Sequence, residues 1–144
     1  MKNKIYLFIF LCFLPFHCKN QNIATYPYEG LLYRYIDNYC KDKILSENYL
    51  LFTYRTVGVC QTCFRISMDS IMSKVYKEKE NYDLYVLFDN EIDMGKIQMK
   101  YKNNVHYLIG NHLIMDKYGI SRDIPMLFVF RDSKLSSWQK FNRK

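Results

Sequence analysis

The amino-acid sequence predicts an α/β domain, a sheet flanked by helices. Short, solidly apolar runs of strand length alternate with segments whose apolar residues recur at steps of three and four, and a proline opens one of the most apolar runs. At 144 residues there is room for one domain of ordinary size with a real core. The composition is globular, 49% hydrophobic and 17% aromatic, with few glycines or prolines to suggest disorder. Heavy use of Tyr, Lys, Asn and Ile reads as coding bias rather than as a functional signal.

The chain opens with Lys2-Asn3-Lys4 and an apolar run of 12 residues, Ile5 to Phe16. That run is too short to span a bilayer, whereas a basic start and an apolar stretch of this length suit a secretory signal. We therefore expect an exported chain with a signal over residues 1–18. No small-x-small cleavage site precedes Lys19-Asn20-Gln21-Asn22, but Cys18 stands at the boundary with Leu14 upstream. This resembles the lipidated cysteine of bacterial lipoproteins, although Phe16 and His17 stand where the lipobox usually has small residues. Lipid anchoring through Cys18 is the first reading and a plain secreted form the second; either puts the protein in the periplasm or cell envelope. Residues 19–27 read as a tether stopping at Pro27, and residues 28–144 as the folded domain.

Leu31, Leu32, Tyr35, Ile36 and Tyr39 form an apolar stripe that predicts a helix from about Tyr28 to Lys43, packed on the sheet. Cys40, beside the stripe, is expected as a half-buried free thiol. Tyr49 to Tyr54 is short and solidly apolar, which suits a strand buried on both faces of a sheet. Beyond it stands Cys60-Gln61-Thr62-Cys63, and then Phe64, Met68, Ile71, Met72 and Val75 line one face of a predicted helix. The dithiol thus falls at a strand-to-helix junction. A cysteine in the first turn of a helix meets unpaired N–H groups and the positive end of the macrodipole, which lowers its pKa. Cys60 is the candidate nucleophile, and Cys63, one turn further in, the candidate resolving thiol.

Other readings of the pair stay open. A structural zinc site needs four ligands, and the remaining candidates are Cys40, His106 and His112, with no second paired spacing. A structural disulfide closing so short a loop removes little unfolded-state entropy. Buried, unreactive thiols fit poorly with a helix start. If the chain is exported, a redox dithiol acts only when another protein supplies or removes electrons, so a redox partner is implied.

Lys77-Glu78-Lys79-Glu80 brings the dithiol helix to an end, and Asp83 to Phe88 is the next strand. Asp89-Asn90-Glu91 offers an N-cap to a weakly patterned helix running to about Tyr101. Lys102-Asn103-Asn104 is a turn, Val105 to Ile109 a short strand, Gly110-Asn111 a turn and His112 to Tyr118 a short helix. Pro125 precedes the apolar strand Met126 to Phe130, since proline cannot donate to a sheet ladder and belongs at a strand's start or edge. Arg131-Asp132-Ser133-Lys134 makes a hairpin turn, and Leu135 to Phe141 returns as an edge strand carrying Trp138.

Cys60-Gln61-Thr62-Cys63 at such a junction, followed by Lys117-Tyr118-Gly119-Ile120, by Ile124-Pro125 and an apolar strand, and by a turn ending in Lys134-Leu135, resembles the thioredoxin-like superfamily. The wide gap between Cys63 and Pro125 is more similar to its exported TlpA/redoxin branch. The resemblance covers about residues 46 to 141 and implies a thioredoxin-like fold, a central mixed β-sheet flanked by helices. It implies thiol-disulfide exchange with a protein substrate, with Cys60 attacking and Cys63 resolving. Pro125 would be a cis-proline beside the dithiol, and Ile124 would offer its backbone to a bound partner strand. No cofactor is implied.

The chain also departs from the family pattern. Thr56-Val57-Gly58-Val59 replaces the usual tryptophan before the first cysteine, and Gln61-Thr62 replaces Gly-Pro between the two. Tyr54 and Arg55 stand where thioredoxins often carry a buried acid, which leaves Glu47, Asp89 or water for proton transfer. The C-terminal helix usual in the family is expected to be missing, and the Tyr28 to Lys43 helix is expected to cover one sheet face. The alternative function is a thioredoxin-fold binding or copper-delivery protein without efficient redox turnover, with His106 or His112 as a distal ligand. The net charge of +7 falls to +5 once Lys2 and Lys4 leave with a signal, and the lysines are dispersed rather than interleaved with aromatics along a groove. Nucleic acid is not an expected partner; membrane contact is expected through the lipid anchor.

Overall fold

The computed structural model describes residues 25–56, 68–79, 82–120 and 124–141. It is an α/β fold built on a mixed five-stranded sheet, with helices on both faces. The elements in chain order are α1 (Glu29–Tyr35), continued by a π-helical turn over Ile36–Cys40, β1 (Tyr49–Tyr54), α2 (Met68–Glu78), β2 (Asp83–Phe88), α3 (Glu91–Lys100), β3 (Val105–Ile109), α4 (His112–Lys117), β4 (Met126–Arg131) and β5 (Lys134–Lys140). Across the sheet the order is β3-β2-β1-β4-β5. β1 pairs with β2 in parallel and β2 with β3 in parallel, whereas β4 runs antiparallel to both β1 and β5.

β1 is central because all six of its residues are apolar enough, or well enough paired, to be buried. Alternate side chains point to opposite faces of a strand. Tyr49 and Leu51 join one cluster, packed under α1, its π-helical turn and α4; Leu50, Phe52 and Tyr54 join the other, packed under α2 and α3. β2 divides the same way, Tyr85 and Leu87 against Leu84, Val86 and Phe88. Burying a side chain such as Leu51 or Phe52 stabilises by roughly 1.5–3 kcal/mol, so strands buried on both faces define the middle of the sheet. The stripe of α1 does cover a sheet face, through Leu32 and Tyr35.

Local chemistry sets the boundaries. Asn90 caps α3, its Oδ1 accepting from the Asp93 N–H, as its position ahead of Glu91 predicts. α4 closes on Gly119, whose φ of +71° is a left-handed cap that an L side chain rarely adopts. The β4–β5 hairpin turns through Asp132 and Ser133, both with positive φ, a pairing whose twist matches the strands it joins. Tyr49 stacks on its cross-strand partner Phe130 with ring centroids 4.4 Å apart.

The order of the chain differs from the sequence expectation at its start. Tyr26, assigned above to the tether, is built into the core. Its ring packs edge-on against Phe128 and tilted against Trp138, and its hydroxyl donates to the Gly119 carbonyl at 2.7 Å. Cys40 is fully buried rather than half-buried, because the π-helical turn rotates it inward beneath Tyr35 and Tyr49.

Candidate functional site

The parallel strands β1 and β2 deliver their carboxyl ends side by side, and in open α/β sheets that is where loops gather and ligands bind. Here it holds a concentration of buried charge. Arg55, the residue after β1, is buried, and its guanidinium forms a fork onto Asp116 of α4. Nη1 reaches Oδ1, and Nη2 reaches Oδ2 at 3.0 Å. Its Nε stands 4.0 Å from Oδ2 of Asp89, whose carboxyl is fully buried. Asp89 also accepts from the Thr56 backbone N–H at 3.0 and 3.2 Å. A buried charge is tolerated only when paired and hydrogen-bonded, and each member of this group supplies that to another.

The network continues into α3. The Thr56 hydroxyl donates to Asp93 at 2.6 Å, and the Asn90 amide donates to the Thr56 hydroxyl at 2.7 Å, to Asp93 at 2.8 Å and to Asp89 at 3.1 Å. Burial pushes the Asp93 pKa up, but hydrogen bonds from Thr56 and Asn90 and the charge of Lys96 outweigh it and hold the carboxyl below its ordinary value of 3.8. Beside it the Tyr54 hydroxyl faces Asp69 of α2 at 3.5 Å, and burial, reinforced by Asp69 and Asp93, raises its pKa. Gly110, after β3, packs against Tyr35 Oη and Met115 Sδ so closely that an added Cβ would lie 2.7 and 2.9 Å from them, which lets α4 lie across the strand ends and bring Asp116 to Arg55.

Ile124 and Pro125 stand at this same end. The β1–β4 register closes on Phe52 opposite Leu127, and its continuation brings Pro125 opposite Tyr54. Thr53 ties the junction. Its hydroxyl accepts the Met126 N–H at 2.8 Å and donates to the Met126 carbonyl at 3.3 Å. The Ile124–Pro125 bond is trans, since no peptide bond between described residues is cis; this corrects the cis-proline expectation. A trans bond is the lower-energy form, and it carries Pro125 straight into the sheet, where its carbonyl accepts the Phe141 N–H at 3.0 Å. Cys60, Cys63 and Cys18 lie outside the described residues.

Of the carboxylates considered for proton transfer, Asp89 is at this end. Glu47 is at the other, where its carbonyl accepts the Ser133 N–H. His106 is also remote, paired in register with Tyr85 and stacked on it near the amino ends of the strands. His112 opens α4 at the carboxyl end. Among the described residues no three His, Cys, Asp or Glu side chains are grouped to hold a metal. Burial, opposed by Lys43, pushes the Cys40 thiol up to about 11, which keeps it protonated and unreactive near neutrality.

The sequence reading missed Arg55, Thr56, Asn90, Asp93 and Asp116 as members of one group. A detectable signal was present: an arginine directly after a solidly apolar strand must be buried or turned out, and burial requires a carboxylate. No family model matches the chain, and no curated protein or solved structure matches it either.

Proposed function

We propose that the chain is an exported thiol-disulfide oxidoreductase of thioredoxin-like type, working through Cys60 and Cys63. The observation that carries the reading is the position of β1. It is the central strand of a mixed sheet flanked by helices, an architecture compatible with a thioredoxin-like fold, and its carboxyl end adjoins Pro125 and the buried Asp89. In sequence, Cys60 follows four residues after Thr56. The chemistry supplied by these two thiols is exchange. The Cys60 thiolate attacks one sulfur of a substrate disulfide and releases the other as a thiolate. Cys63, deprotonated, then attacks the Cys60 sulfur and frees the second substrate thiol. Two electrons pass to the substrate, Cys60 and Cys63 become a disulfide, and an upstream redox partner restores the dithiol. Run backwards, the same steps oxidise a substrate.

Reduction of insulin disulfides by the purified chain tests this. Activity should be lost in Cys60→Ser, and Cys63→Ser should accumulate a mixed disulfide. Turnover unchanged in both variants would overturn the proposal. Stoichiometric Cu(I) binding that needs both cysteines, without exchange, would replace it with metal delivery. Lipid anchoring through Cys18 is part of the same proposal, and Cys18→Ala should release the protein from the membrane fraction. No helix among the described residues is long and apolar enough to cross a membrane.

A further inference from the structure

At the opposite end of the sheet, Lys43, Leu45, Ser46, Asp83, Lys102 and His106 border a cleft of about 400 Å³. Its residues come from the segment before β1, the start of β2 and the turn into β3. Serine, aspartate and histidine together invite a hydrolase reading, but the connectivity is wrong for one. The Ser46 hydroxyl donates to the Asp83 carboxylate, and His106 Nε2 stands 3.8 Å from the other carboxylate oxygen. The carboxylate is therefore between hydroxyl and imidazole, whereas activation of a serine needs the imidazole in that place.

The arrangement instead suits binding. The His106 ring lies on Tyr85 at 4.5 Å and 17°, and the Tyr85 hydroxyl is held in turn by the Leu45 N–H at 3.2 Å. The turn that carries Lys102 is fixed by Asn104, which has a φ of 52° and whose carbonyl accepts the Leu84 N–H at 3.1 Å. The Asp83 carboxylate accepts from the Ser46 hydroxyl and has His106 Nε2 at 3.8 Å. Neither Lys43 nor Lys102 makes a salt bridge among the described residues, so two lysine charges stand against the one carboxylate of Asp83. A cation is disfavoured there. Leu45, 84% exposed, adds an apolar rim.

We propose that this cleft binds a small oxyanion, of phosphate or carboxylate class, between Lys43, Lys102 and His106, with Leu45 against the body that carries it. The cleft lies at the amino ends of the strands, away from Thr56, and the proposal does not rest on the function proposed above. Titrating the purified chain with inorganic phosphate at constant ionic strength, while following the His106 imidazole signals by NMR, tests the proposal. The expected result is a saturable shift, with affinity lowered about tenfold in Lys43→Gln/Lys102→Gln, whose exposed side chains are dispensable for folding. A parallel titration with sodium acetate assigns the class, and saturation by either anion supports the site. A shift that never saturates with either anion, or one that saturates equally in the double variant, overturns it.

Discussion

The two ends of β1 carry charge in opposite ways. At the carboxyl end the Arg55 and Asp89 side chains are 4% and 0% exposed, and each is committed to partners. At the amino end Asp83 and His106 are 36% and 48% exposed and share their pairing with solvent. Burial removes water as a substitute partner, so the carboxyl end tolerates few alternative geometries and the amino end many. Rigidity at the carboxyl end suits the dithiol function proposed above, and freedom at the amino end suits the proposed anion site.

The contrast can be broken most directly at Arg55. Arg55→Met leaves Asp89 buried beside an apolar side chain and should cost about 3–5 kcal/mol in urea denaturation, against about 0–1 kcal/mol for His106→Ala. Equal losses would mean that the two ends do not differ as described. A smaller effect is expected at Thr53, whose uncharged hydroxyl ties β1 to the start of β4. Thr53→Val leaves the buried Met126 N–H without its acceptor and should cost about 1–3 kcal/mol in the same assay, and a neutral result would show that the ladder closes without it.

The smallest effect is at Asp93. Its folded-state pKa is depressed, so the unfolded chain takes up the proton first. The stability it contributes is present above the ordinary value of 3.8 and lost as pH falls through the folded value. Melting temperatures measured through the acid range should therefore fall less steeply in Asp93→Asn than in the native chain. Parallel curves would remove Asp93 from the network's electrostatics.

Much of this architecture was legible before the structure. Tyr49–Tyr54 read as a strand buried on both faces and Asp83–Phe88 as a further strand, and Asn90 and the Asp132-Ser133 turn announced themselves by residue type. The pairing of Arg55 with Asp116 was not legible, because it joins residues 61 apart and depends on α4 crossing the strand ends. The inward turn of Cys40 was hidden by the π-helical turn, which shifts the helical phase without changing the apolar stripe before it. Tyr26 was hidden by its neighbours, since a polar stretch and a proline around it read as tether while its partners, Phe128 and Trp138, come from the far end of the chain.

On the function proposed above, Cys60 and Cys63 form a reversible redox couple. The direct measurement is their reduction potential, by equilibrating the purified Cys12→Ser/Cys18→Ser chain with glutathione or dithiothreitol and counting reactive thiols, with Cys40 kept out of the count by its burial. The expected result is a two-electron couple within the span from about −270 mV, which would mark a reductant, to about −120 mV, which would mark an oxidant. Absence of any such couple while the far-ultraviolet circular dichroism shows the fold intact would contradict it.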